Sequence, residues 1–156
     1  MEQVINKEAL LKVAEVELVY RSKVKASERP AIACSSDAAN ILRNLWDEGK
    51  MELVEQFKVL FLNRSNKVIA LYNVSSGGIT GTVADSRLIF TAALKINAVS
   101  MVLCHNHPSG SVKPSKADEE LTQKISGAGK FLDIKVLDHI ILSEESYFSF
   151  ADEGLL

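Results

Sequence analysis

Residues 99–118, VSMVLCHNHPSGSVKPSKAD, join an apolar run to a polar loop and then to the start of a helix. Val99 to Cys104 fits a buried strand, because short runs of apolar residues bounded by turn signals pack on both faces. His105-Asn106-His107-Pro108-Ser109-Gly110 reads as an irregular loop, since Pro lacks an N–H and Gly admits unusual backbone angles. Pro114 and Ser115 open a helix predicted to reach about Ala128 and to close at Gly127 or Gly129. A strand that feeds a helix through a functional loop is the unit of an α/β fold.

Downstream of this unit, residues 134–142 form the last long predicted strand and 147–150 a short one. Upstream, Asp85 or Ser86 caps a helix whose Leu88, Ile89, Ala92, Ala93 and Ile96 recur at helical spacing. Ser75-Ser76-Gly77-Gly78 breaks the chain before a short predicted strand at 79–83. Residues 56–62 and 67–74 are rich in β-branched and apolar types and flank Asn63-Arg64-Ser65-Asn66, which predicts a hairpin. Ser35-Ser36-Asp37 can cap a helix to about Trp46, with Ala38, Ile41, Leu42 and Leu45 on one side. Before the polar connection 23–30, Val16, Leu18 and Tyr20 alternate with acids as a strand does, after a short helix at 7–12. The expectation is one domain over 1–156, α/β or α+β, with a mixed sheet flanked by helices.

The bulk composition excludes several classes. With 156 residues the chain suits a single core, and 47% hydrophobic with 24% charged residues is ordinary for a globular protein. A net charge of −2 gives no broad attraction to nucleic acid or acidic membranes. Arg21, Lys23, Lys25 and Arg29 form a local basic cluster that also reads as a solvated segment. Cys34 and Cys104 lie far apart, which argues against a disulfide framework or a Cys-rich zinc finger. No secretory signal and no membrane-length apolar run is visible, so the expected setting is cytoplasmic and reducing.

The chemistry concentrates between His105 and Asp118. Two histidines one residue apart at a strand end point the same way, because strand side chains alternate with period two. Neutral imidazoles with a carboxylate suit Zn²⁺, and three protein ligands leave a fourth tetrahedral position open, as catalytic zinc sites do. On spacing alone the pair is also compatible with ordinary core histidines, and Ser115 with Asp118 also reads as a helix capping box.

His105-Asn106-His107-Pro108, then Ser115 and Asp118, resembles the JAMM (MPN+) metalloprotease motif. The fuller string HNHPSGSVKPSKAD, with Leu137-Asp138-His139-Ile140 and Phe150-Ala151-Asp152-Glu153-Gly154, is similar to the RadC family, and Glu55-Gln56-Phe57 matches its early glutamate. The similarity covers nearly the whole chain and is most specific over 55–156. The resemblance implies a JAB/MPN fold, a curved mixed β-sheet with helices around it in a cytidine-deaminase-like architecture. It implies Zn²⁺ on His105, His107 and Asp118, Glu55 as general base, and Ser115 as donor to the oxyanion. Two departures accompany it. RadC proteins commonly carry an N-terminal helix-hairpin-helix region for which this chain has no room, which suggests a stand-alone catalytic module. Asn106 stands where eukaryotic JAMM enzymes have Ser or Thr, as in the RadC branch.

Two further residues are singled out. His139 sits on an apolar strand and reads equally as a core histidine or as a partner of a ligand. Cys104 is expected to face away from His105 and to pack. The functional expectation is a zinc metallohydrolase that cleaves a peptide, isopeptide or related amide bond. The alternatives are a non-enzymatic DNA repair or recombination module and a metal-stabilised assembly protein. A nuclease is disfavoured, because two-metal sites need several clustered carboxylates. The expected partners are a peptide or protein substrate and, second, another copy of the chain in a homodimer, with no membrane. Nucleic acid has only the basic cluster behind it, and the pocket walls are expected in loops 75–81 and 109–113.

Overall fold

The computed structural model describes residues 20–78 and 83–156. The predicted helix at 7–12, all of the predicted strand at 16–20 except Tyr20, and residues 79–82 of the next lie outside the described residues. Val83 is described and is not in a strand.

The order of elements is α1 (Ser35–Asn44), β1 (Gln56–Leu62), β2 (Val68–Ser76), α2 (Ser86–Lys95), β3 (Ser100–Asn106), α3 (Lys116–Phe131), β4 (Lys135–Leu142) and β5 (Tyr147–Ser149). The strands form one five-stranded sheet in the order β2-β1-β3-β4-β5. Only β3 and β4 run parallel, joined through α3, and the other neighbours are antiparallel. The expected mixed sheet is present. The predicted hairpin closes as read: the Asn63 side chain accepts from Ser65 N and Lys67 N, and Asn66 takes the positive φ the turn needs.

Alternation along the strands separates two cores. On one face Leu60, Leu62, Val102, Cys104, Ile140 and Leu142 pack under Ala38, Ala39 and Leu42 of α1. On the other, Phe57, Val59, Phe61, Met101 and Leu103 pack with Ile89, Phe90 and Ala93 of α2 and Ile125 of α3. β1 and β3 are buried along their full length, as central strands covered on both faces must be.

Four local expectations are corrected. β3 does not end at Cys104 but runs to Asn106, because His105 pairs with Phe57 on one side and Ile141 on the other. α3 passes through Gly127 and Gly129 to Phe131, and Asp133, at φ 56°, makes the turn that a glycine was expected to make. Gly129 matters for another reason: a Cβ there would collide with the Ile134 carbonyl, where the chain folds back to start β4. α1 stops at Asn44, so Leu45 is exposed, while the Asp37 carboxylate accepts from the N–H groups of Ala33 and Cys34. α2 is capped by Asp85 as expected but buries Phe90 and exposes Leu88.

Candidate metal centre

β3 delivers His105 from its last turn of pleat, and His107 follows one residue beyond the strand. Alternation puts both imidazoles on one side, and Cys104, fully buried, on the other among the α1 core. Ser115 caps α3, its hydroxyl accepting from Asp118 N at 3.2 Å and donating to Asp118 Oδ2 at 2.7 Å. That cap fixes the carboxylate over the histidines: Asp118 Oδ1 is 3.3 Å from His105 Nε2 and Oδ2 is 3.8 Å from His107 Nε2. One ligand atom from each of His105, His107 and Asp118 falls within 4.8 Å of the others, so these three residues can hold a metal ion.

The hydrogen bonds test whether these donors fit a cation. His107 Nδ1 lies 2.6 Å from the Ser111 carbonyl, which can only accept, so Nδ1 carries the proton and Nε2 presents a lone pair. His105 Nε2 faces that atom at 3.0 Å, while His105 Nδ1 is engaged with His139 Nε2 at 2.8 Å. Two imidazole nitrogens and a carboxylate converging on one point concentrate electron density that a divalent cation neutralises. A nitrogen, nitrogen, oxygen donor set is that of Zn²⁺ and related transition metals.

Protonation follows from surroundings. Burial works to raise the Asp118 pKa, but the neighbouring His105 ring and the two donors of Ser115 outweigh it and hold the carboxyl well below its ordinary range. Burial, reinforced by His105, pushes His139 well below the ordinary imidazole value, so it is neutral at pH 7. Phe57 stacks on His105 at 6.0 Å and Phe150 on His139 at 4.8 Å, which walls the rings off from water.

Glu55 precedes β1 by one residue. The antiparallel ladder pairs Phe57, two residues on, with His105, so Glu55 leads into β1 at the end of the sheet where β3 carries His105. Its carboxylate has no hydrogen-bond or ion-pair partner among the described residues. Its backbone is held on both sides, with Glu55 N donating to Gly78 O and Gly77 N donating to Glu55 O. A third support comes from Asn106, whose side chain was read in the sequence only as a mark of lineage. Asn106 Oδ1 accepts from Gln56 N at 2.7 Å, and Nδ2 donates to Met51 O at 2.6 Å and Val54 O at 2.9 Å. The fully buried residue between the two histidines therefore clamps the segment that carries Glu55. Its position inside the motif is the only sequence signal for this, because the clamp spans about 50 residues of chain.

A cavity of about 270 Å³ opens beside His107, lined by Glu52, Gly110, Ser143 and Glu144 among others. Gly110 belongs to the loop expected to form a wall, whereas Ser75 and Ser76 line a different cavity with Lys58. A larger cavity, about 680 Å³, lies between the end of α3 and the C-terminal residues and contains none of the site residues.

The model of the RadC-like JAB domain matches residues 32–155. A UPF0758 protein of Flavobacterium johnsoniae is 46% identical over 144 residues, covering 92% of this chain and 62% of the relative. UPF0758 proteins of Rubrobacter xylanophilus and Syntrophomonas wolfei are 37% and 35% identical, covering 95% and 92% of this chain and 64% and 61% of their own lengths. The chain thus spans about three fifths of the length of these curated relatives. Motif, sheet order and match point the same way, and the chain belongs to the RadC-like JAB domain family.

Proposed function

We propose that this domain is a zinc-dependent hydrolase of the JAMM type, acting on a peptide, isopeptide or related amide bond. The observation that carries the proposal is the convergence of His105 Nε2, His107 Nε2 and the Asp118 carboxylate, with Glu55, whose carboxylate is unpaired among the described residues, just before the neighbouring strand β1. His105, His107 and Asp118 would hold the ion. When bound, Zn²⁺ lowers the pKa of a coordinated water to about 7 and polarises a carbonyl.

The remaining work falls to the chain's own groups. Glu55 takes the proton of the attacking water and returns it to the leaving amine, a transfer suited to a carboxylate free of other partners among the described residues. The Ser115 hydroxyl, anchored at the cap of α3, is the candidate donor to the oxyanion, which requires it to turn from Asp118 Oδ2 as charge develops. Asn106 keeps the Glu55 segment docked on β3. The test is metal quantification on wild type and Glu55→Gln, followed by a peptide and isopeptide library. Protein that binds no zinc on reconstitution would sink the proposal. A second reading, a DNA repair module without catalysis, has the exposed run Arg21, Lys23 and Lys25 behind it. It requires salt-sensitive DNA binding that neutralising this run abolishes and Asp118→Ala leaves intact.

A further inference from the structure

His139 lies on β4, 34 residues from His105 and outside the metal motif, yet it is fully buried in contact with the first ligand. Behind it, Thr122 Oγ1 is 2.6 Å from His139 Nδ1 and also 2.6 Å from the Asp118 main-chain carbonyl. The chain of contacts therefore runs His105, His139, Thr122, Asp118, and links one candidate ligand to another through β4 and α3.

The direction of every proton in this chain is determined by its last member. The Asp118 carbonyl can only accept, so the single Thr122 hydroxyl proton points to it. The hydroxyl oxygen must then accept from His139, which places the His139 proton on Nδ1 and leaves Nε2 as a lone pair. That lone pair accepts from His105, which places the His105 proton on Nδ1 and frees Nε2 to face His107 and Asp118. The opposite polarity would leave the Thr122 hydroxyl and the Asp118 carbonyl oxygens 2.6 Å apart with no proton between them.

We infer that His139 is the positioning residue that sets the tautomer of His105, and that Thr122 polarises it from α3; the inference rests on the zinc reading of the site. A metal-bound histidine commonly donates its second nitrogen to a carboxylate, a main-chain carbonyl or water. Here the acceptor is the lone pair of a second imidazole, itself oriented by a helix hydroxyl, stacked on Phe150 and flanked by the tilted ring of Phe57. The arrangement fixes the ring of His105 without adding a negative charge to the buried centre.

Long-range ¹H–¹⁵N NMR of the histidine rings reads the tautomers directly, with or without metal. The expected result is His139 and His105 both protonated at Nδ1, and His139 protonated at Nε2 overturns the inference. Zinc competition titrations supply the second readout. His139→Phe, which suits an aromatic-lined site, is expected to weaken zinc binding about 10- to 100-fold. His139→Gln, whose amide oxygen can accept from His105 Nδ1, is expected to recover part of that loss. Thr122→Val is expected to lose only a few-fold and to mix the His139 tautomers, with Thr122→Ser close to wild type. Wild-type zinc affinity in a folded His139→Phe protein overturns the inference. A wild type that binds no zinc overturns the functional reading instead, and the tautomer spectrum still decides this one.

Discussion

Phe57 and Lys58 are neighbours on β1, opposite His105 and Cys104 of β3, and they point to opposite faces of the sheet. Each face buries polar groups among apolar ones. On the Lys58 side the ammonium, 1% exposed, is met by Asn73 Oδ1 at 2.8 Å, Asp47 Oδ1 at 3.3 Å and the Trp46 ring at 4.9 Å. Its charge is matched within the chain itself. On the Phe57 side, two imidazole nitrogens face each other 3.0 Å apart beside a carboxylate, and among the described residues no Lys or Arg pairs with that carboxylate. Burial of polar groups is common to both, so burial does not distinguish a structural cluster from a functional one. The balance of charge does: one cluster sets an ammonium against a carboxylate, the other gathers lone pairs around a carboxylate without a cation to share.

Mutation can break this contrast at its functional end first. Asp118→Ala or His105→Ala is expected to weaken zinc binding by more than about a hundredfold, because only two donors remain. Metal quantification and competition titration measure it, and wild-type zinc content in both variants would place the ion elsewhere. Next in size, Glu55→Gln is expected to keep the zinc and lower turnover by about 10² to 10⁴, the usual worth of a general base. Loss of metal together with activity would instead make Glu55 part of the coordination.

The structural cluster is expected to respond in stability alone. Asp47→Ala leaves Lys58 buried without its counter-charge; since Asp47 is 37% exposed and water partly compensates, the cost is about 1–3 kcal/mol. Lys58→Met removes the buried charge as well and is expected to stay within about 1 kcal/mol of wild type. Urea unfolding separates the two, and zinc content should be unchanged in both. Equal destabilisation by the two variants would mean that packing, not charge, is what Lys58 supplies.

The smallest effect tests pH. Burial raises the Asp138 pKa despite donors from Ser149 Oγ, Ala151 N and His139 N. The native state therefore holds that proton more tightly than the unfolded chain. Its contribution to stability is full below the unfolded value of 3.8 and is lost as pH rises through the raised native value. The stability of wild type relative to Asp138→Asn is expected to be greatest near the acid end and to shrink toward neutrality. Urea unfolding between about pH 4 and 7 checks the sign, and a difference that grows with pH would reverse it.

Much of the centre could be read in advance, because its geometry is local. His105 and His107 share a side by strand alternation, and Ser115 sets Asp118 three residues into a helix. Asn106 escaped that reading, and His139 stood between a core role and a ligand's partner, for a shared reason: their partners are distant in sequence. Nothing between Asn106 and Val54 in the linear pattern states that one will clamp the other.

His139 shows where the limit lies. In β4 the register with β3 slips between Met101 and Val102, whose partners are Val136 and Asp138, so Leu137 is an extra residue. This bulge turns the rest of the strand over: Val136 belongs to the α2 and α3 core, whereas Ile140 and Leu142 belong to the α1 core. Without the slip, Asp138 rather than His139 would share the face of His105. By itself the sequence determined the hairpin, the alternation that pairs the two histidines, and the cap that sets the carboxylate, since each depends on neighbours a few residues apart. Only the tertiary structure decided that the segment of Glu55 is clamped by Asn106 and that His139 backs His105, because strand register and the bulge arise from packing both faces of the sheet at once.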